Sequence, residues 1–328
     1  MDLRVLGEVQ IRADDRTIDL ERSAERCVLA TLAFNPSRPV QVDTLIENVW
    51  GDQPPARAEQ TIASYVRAVR RAIEDAGGQR AWLLNRRPRA YELRINPAAV
   101  DYHRFTALAA AGRAKARDGD HHDAIVAYQH ALALWQANPL ANVNGDWADR
   151  RRHRLRQERL DTHCALFEQQ IKTGDHEAVA SGATRLIDET VPTDRLIALA
   201  IHALANCGYT SMIPGFVSRA AEHMWNAVQV LPSSDIDALA RSLVNRTTVN
   251  ASHEQSRRHP PPPAEHMGVG PDAKDPSGVE DPAPMAHTDE ASTEGRHDGH
   301  TWQRNVSMSA TLNENVFQCF GDQHIYEA

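Results

Sequence analysis

The feature that most constrains this chain is one amphipathic helix, read from Pro54-Pro55-Ala56-Arg57 to Ile73-Glu74-Asp75-Ala76-Gly77-Gly78. At 3.6 residues per turn it has about six turns. Ile62, Val66, Val69 and Ile73 recur at spacings of four, three and four and form one apolar stripe. Pro55 suits the first helical position, where no N–H is needed. Gly77 suits the residue just past the end, where left-handed backbone is common. The other face carries Arg57, Thr61, Ser64, Arg67, Arg70 and Arg71. Such a helix can pack on a small core and enter a DNA major groove. A surface helix with a solvated basic face has the same pattern, so the flanking residues decide.

Upstream, Leu3-Arg4-Val5-Leu6-Gly7, Val9-Gln10-Ile11-Arg12 and Thr17-Ile18-Asp19-Leu20 alternate apolar and polar residues, which predicts three short antiparallel strands. Ser23 is placed to cap a helix from Ala24 to about Phe34, and Asn35-Pro36 ends it. Asp43 is placed to cap a short helix carrying Leu45, Ile46, Val49 and Trp50. Downstream of the long helix, Ala81–Leu84 and Ala90–Ile95 read as a hairpin with Arg86, Arg87 and Arg89 at its tip.

Charge supports the same reading only when taken locally. The chain carries a net −8, but residues 251–328 hold 5 Lys/Arg and 13 Asp/Glu, which accounts for all of it. Residues 57–94 hold nine Arg against four acids. Phosphate contacts act within about a Debye length, ~8–10 Å, so the local excess is what a polyanion meets.

The order of three strands, three helices and a hairpin is that of a winged helix with an added N-terminal sheet. It resembles the OmpR/PhoB-type DNA-binding domain, in the version that opens SARP-type regulators (Streptomyces antibiotic regulatory proteins). The resemblance rests on Leu3–Gly7, Val40-Gln41-Val42-Asp43-Thr44-Leu45-Ile46, Val49-Trp50-Gly51-Asp52-Gln53-Pro54-Pro55, Tyr65–Ile73 and Tyr91-Glu92-Leu93. Ala68 stands where the family usually has Arg, and Arg87-Pro88-Arg89-Ala90-Tyr91 replaces the frequent Pro-Pro-Gly-Tyr wing. On this reading Thr61, Ser64, Tyr65 and Arg67 face bases, and Arg57, Arg70 and Arg71 lie nearer phosphates. Tyr65 is equally suited to the core. Arg86, Arg87 and Arg89 would reach the minor groove or backbone, or serve only solubility.

Residues 98–247 are rich in Ala, Leu, Arg and Asp, with paired helical patterns broken by Asp118-Gly119-Asp120 and Thr173-Gly174-Asp175. This predicts an all-α, tetratricopeptide-like domain. It resembles the bacterial transcriptional activator domain of SARP-type proteins at Val100–Phe105, Ala131–Trp135, Asn138-Pro139-Leu140-Ala141 and Pro192–Leu196. Residues 248–304 are proline-rich, acidic and low in apolar content, the composition of a disordered linker. Residues 305–328 are β-prone and resemble amyloid-type signalling motifs similar to the RIP homotypic interaction motif. A like motif on another protein is their expected partner.

Four scattered cysteines, none in a CxxC pair, fit a reduced cytoplasm and predict no zinc site. The N-terminus lacks the regions of a signal peptide, and no run approaches a membrane span. There is no phosphate loop, GxGxxG or HExxH, so neither an enzyme nor a cofactor is expected. The expectation is a transcription regulator bound to double-stranded DNA as a homodimer. The resemblance adds direct repeats as the binding site and contact with RNA polymerase. The alternative is a signalling protein acting through residues 305–328.

Overall fold

The computed structural model describes residues 1–258 except Asp14, Asp15 and Arg87, and of residues 247–258 the backbone alone. The β-prone motif at 305–328 and nearly all of the proline-rich stretch lie outside the described residues. A first antiparallel sheet is formed by β1 (Asp2–Arg4), β2 (Gln10–Ala13) and β3 (Arg16–Ile18), in that order. Three helices follow: α1 (Ser23–Ala33), α2 (Val42–Trp50) and α3 (Ala58–Asp75). β5 (Leu83–Arg86) and β6 (Ala90–Leu93) form the wing, and β4 (Val40–Gln41) joins them as a second sheet in the order β4-β6-β5. This is a winged helix preceded by a sheet.

The apolar stripe of the long helix does what its spacing requires. Ile62, Val66, Val69 and Ile73 are all fully buried. The N-terminal end differs from expectation. The helix starts at Ala58 with Arg57 as its cap, and Pro55 sits in the preceding turn, where its carbonyl accepts from Ala58 N at 2.9 Å. A proline disfavours helical backbone in the residue before it, so Pro54-Pro55 reads better as extended chain. At the C-terminal end Gly77 has φ +76°. Its N–H reaches Glu74 O at 2.9 Å and Gly78 N–H reaches Ile73 O at 2.8 Å, which is a complete Schellman stop. Ser23 is not the cap of α1. Arg22 takes that place, and the Ser23 hydroxyl accepts instead from Asn144 N at 2.8 Å.

The helical region comprises α4 (Asp101–Arg117), α5 (His121–Leu132), α6 (Asp146–Lys172), α7 (His176–Glu189), α8 (Asp194–Asn206), α9 (Ile213–Val228) and α10 (Ser234–Arg258). α10 continues past residue 248, where the composition alone suggested a linker. α4, α6 and α8 each end on a glycine with φ near +80°, Gly119, Gly174 and Gly208. That recurring stop underlies the tetratricopeptide-like pairing.

The two regions share one core. The hydrophobic cluster that holds the winged helix runs on through Val100, Phe105, Trp135, Leu140 and Val143 to Leu155. The segment Val5–Val9, which the alternation placed in the first two strands with a turn only at Gly7-Glu8, is a docked loop. Leu6 O, Val5 O and Gly7 O accept from Gln136, Leu140 and Ala141 N–H groups at 3.2–3.3 Å. Asn142 closes both polar groups of Val9, at 2.8 and 3.2 Å. Asp101, at the start of α4, is 3% exposed, and its carboxylate accepts from Val5 N and Leu6 N at 3.0 Å and from its own neighbour Tyr102 N at 2.7 Å. A second cluster fills α6 to α10 around Phe167, Ile187, Leu196, Ile201 and Phe216.

Two buried groups couple this core to pH with opposite signs. Burial pushes the Asp101 carboxyl up to about 6, against the pull of its N–H donors, so the proton-linked part of its contribution is lost as pH rises through that value, and the hydrogen bonds to the carboxylate remain. Burial, with Arg159 and Arg185 nearby, pushes His163 down to about 4, so its contribution is lost as pH falls from about 6.5 toward 4. His163→Gln removes the second effect alone. The variant should therefore gain stability relative to the parent as pH falls across that window, by up to about 3 kcal/mol. Denaturant titrations at pH 7 and pH 4.5 measure the difference, and an equal gap at both would show that His163 takes up its proton in the fold at the same pH as in the unfolded chain.

Candidate nucleic-acid interface

α3 is held by its buried stripe, so its opposite face is fixed in direction. Arg57, Ser64, Arg67 and Arg71 are exposed there. No side-chain hydrogen bond or ion pair ties them down among the described residues. Gln60 is exposed on the same row, since 57, 60, 64, 67 and 71 alternate spacings of three and four. Gln60 is neither basic nor a hydroxyl residue, so residue type does not single it out in the sequence, although its spacing does. Gln can make a bidentate contact to adenine in the major groove. Thr61 is half-buried, and its hydroxyl bonds back to Arg57 O at 3.0 Å.

Tyr65 and Arg70 play different parts. Tyr65 is half-buried beside Trp50 of α2, ring centroids 6.0 Å apart, and packs on the core. Arg70 is turned to the wing: its Nε donates to Leu83 O at 2.9 Å and its other arm to Asn85 Oδ1 at 2.5 Å. Burial lowers its pKa from the ordinary arginine range. It fixes β5 against α3, an arrangement that a count of surface arginines does not show.

Two of the wing arginines, Arg86 and Arg89, are ion-paired. Arg86 lies within β5, not at the tip, and pairs with buried Glu92, whose carboxyl also accepts from Arg94 at 2.9 Å. These two guanidiniums hold Glu92 below the usual carboxylate range. Arg89 reaches Glu59 of α3 at 2.9 Å and Asp43 of α2 at 3.4 Å. Both partners are exposed, and such pairs contribute only about 0–1 kcal/mol, so a phosphate can displace them. Arg87 lies outside the described residues.

The result is a basic helix face with a hydrogen-bonding row, flanked by a wing whose orientation Arg70 sets. Among the described residues no group of His, Cys, Asp and Glu could hold a metal, and no helix is long and apolar enough to cross a membrane. His121 instead bonds Gln169 at 2.9 Å, and Cys27 and Cys164 are buried thiols pushed up to about 12.

Comparison with known proteins matches the two regions of the fold. Residues 15–93 match the model of the transcriptional regulatory protein C-terminal domain, and residues 100–242 match that of the bacterial transcriptional activator domain. The chain is 28% identical over 189 residues to the transcriptional regulatory protein MoaR1 of Mycobacterium tuberculosis, covering 57% of this chain and 61% of the relative. It is 26% identical over 250 residues to the regulatory protein DnrI of Streptomyces peucetius, covering 74% and 92%. Among solved structures, that of Mycobacterium tuberculosis EmbR in complex with a low-affinity phosphopeptide matches with a TM-score of 0.67 and 25% identity, over 78% of this chain and 70% of that one. This chain thus carries the domain pair of the SARP-type regulators, an OmpR/PhoB-type winged helix followed by a bacterial transcriptional activator domain.

Proposed function

We propose that the chain is a sequence-specific DNA-binding regulator of transcription, acting in the cytoplasm as a non-enzymatic activator of neighbouring genes. The observation that carries this reading is the exposed row Arg57, Gln60, Ser64, Arg67 and Arg71 on a helix locked into the core beside a wing. In use, α3 enters the major groove. Gln60, Ser64 and Arg67 read base edges, with Thr61 at the rim, and Arg57 and Arg71 contact phosphates. Arg87 and Arg89 contact the flanking backbone or minor groove, with Arg89 exchanging Glu59 for phosphate, while Arg86 stays on Glu92.

One winged helix covers few base pairs, so two copies bind head to tail on a direct repeat, and the helical domain supplies the contact between them and with RNA polymerase. Footprinting upstream of the neighbouring genes finds the repeat. Inserting ~5 bp, half a helical turn, between its halves should abolish cooperative binding while each half-site keeps its own affinity. Anisotropy titrations measure both. Cooperativity indifferent to spacing would refute the head-to-tail arrangement.

A further inference from the structure

The helical domain has a cleft that DNA binding does not use. It lies between α6 and α7, encloses about 390 Å³ and is walled by Phe167, Leu166 and Leu186. A second cavity of about 520 Å³ adjoins it and shares Arg159, Leu186 and Glu189. Volumes of this size suit small organic molecules.

Its polar lining is unusual. Six buried side-chain polar atoms among the described residues have no hydrogen-bond partner, and three of them belong to residues that line this one cleft: Arg159 Nε, His163 Nε2 and Gln170 Oε1. Gln170 is only 6% exposed. Its amide nitrogen is used by Asp175 at 3.3 Å, which leaves the oxygen without a donor. Buried polar groups are rarely left unpaired, so three in the walls of one cleft set it apart from the rest of the helical domain.

The charges define the ligand. Arg159 lies half-buried with its guanidinium 5.4 Å from the Trp135 ring. Arg185 is on the rim and meets Glu189 only at 3.9 Å. Two guanidiniums against one carboxylate leave the cleft cationic. His163, neutral here, offers either an acceptor or a donor according to its tautomer. We propose that this cleft binds a small organic acid, its anionic group at Arg159 and Arg185 and its apolar body on Phe167 and Leu186.

The probe is 1-anilinonaphthalene-8-sulfonate, which combines a sulfonate, an N–H donor and aromatic rings. Titrated into the full chain, it should show one saturable fluorescent site per chain, competed by inorganic sulfate. Arg159→Gln should weaken it at least tenfold, with helicity and melting temperature checked alongside. Arg185→Gln, at an exposed position, should weaken it severalfold and decides the matter if Arg159→Gln does not fold. The idea is overturned if there is no saturable site. It is overturned equally if folded variants bind with parental affinity, which would assign the dye to exposed Trp225, Val228 and Leu231 instead.

Discussion

Asp101→Ala is expected to lower the stability of the chain by about 3–5 kcal/mol, as breaking a buried charged hydrogen-bond network does. The carboxylate is the acceptor for Val5, Leu6 and Tyr102 N–H groups, and at 3% exposure little water can replace it. Asp101→Asn keeps one acceptor oxygen and should recover part of the loss. The loss should appear in one transition, because the winged helix and α4 share a hydrophobic core. Urea unfolding followed by far-ultraviolet dichroism and by tryptophan fluorescence should therefore give coincident curves. A fragment ending at residue 97 lacks Asp101, the 136–142 segment and Asn142, and should not unfold cooperatively. Destabilisation by Asp101→Ala below about 1 kcal/mol, or a well-folded 1–97 fragment, would show that the joint is ornamental to the winged helix.

Arg70→Ala is the second large effect. A hydrogen bond to a charged group contributes about 1.5–3 kcal/mol, and of the two that this substitution removes the one to Leu83 O is partly buried while the one to Asn85 is exposed and adds little. A loss of about 2 kcal/mol in stability is expected. DNA affinity should fall as well, because β5 is no longer fixed against α3. Arg71→Ala, one residue on, faces solvent and should leave stability within about 0.5 kcal/mol of the parent. Denaturation of the two variants side by side checks the contrast. Equal stability for both would mean that Arg70 does not hold the wing.

These two residues also show what was legible in the sequence. The stripe Ile62, Val66, Val69 and Ile73 was readable because helical period and burial coincide within one element. Gly77 was readable because only its neighbours in the chain matter to a helix stop. The docking of Val5–Val9 was not, since its partners lie 95 or more residues away and leave no period behind. Ser23 was misread for the same reason: its hydroxyl serves Asn144, 121 residues on. In the candidate interface the exposed row was visible as spacing. Which arginines are committed to the protein itself was not, because Arg70, Arg86 and Arg89 differ from Arg57, Arg67 and Arg71 only in what tertiary folding places beside them.

DNA binding through α3 is tested most directly by salt. The affinity of the full chain for its direct-repeat duplex should be titrated by anisotropy from 50 to 300 mM KCl, for the parent and for the Arg57→Ala/Arg71→Ala double variant. Each phosphate contact contributes about 0.9 to the slope of log affinity against log salt. The parent should show a steep slope, and the double variant should be shallower by about two per bound copy, with weaker binding to all sequences alike and an unchanged fold. A folded double variant whose slope and affinity match the parent would contradict the assignment of this helix face to DNA.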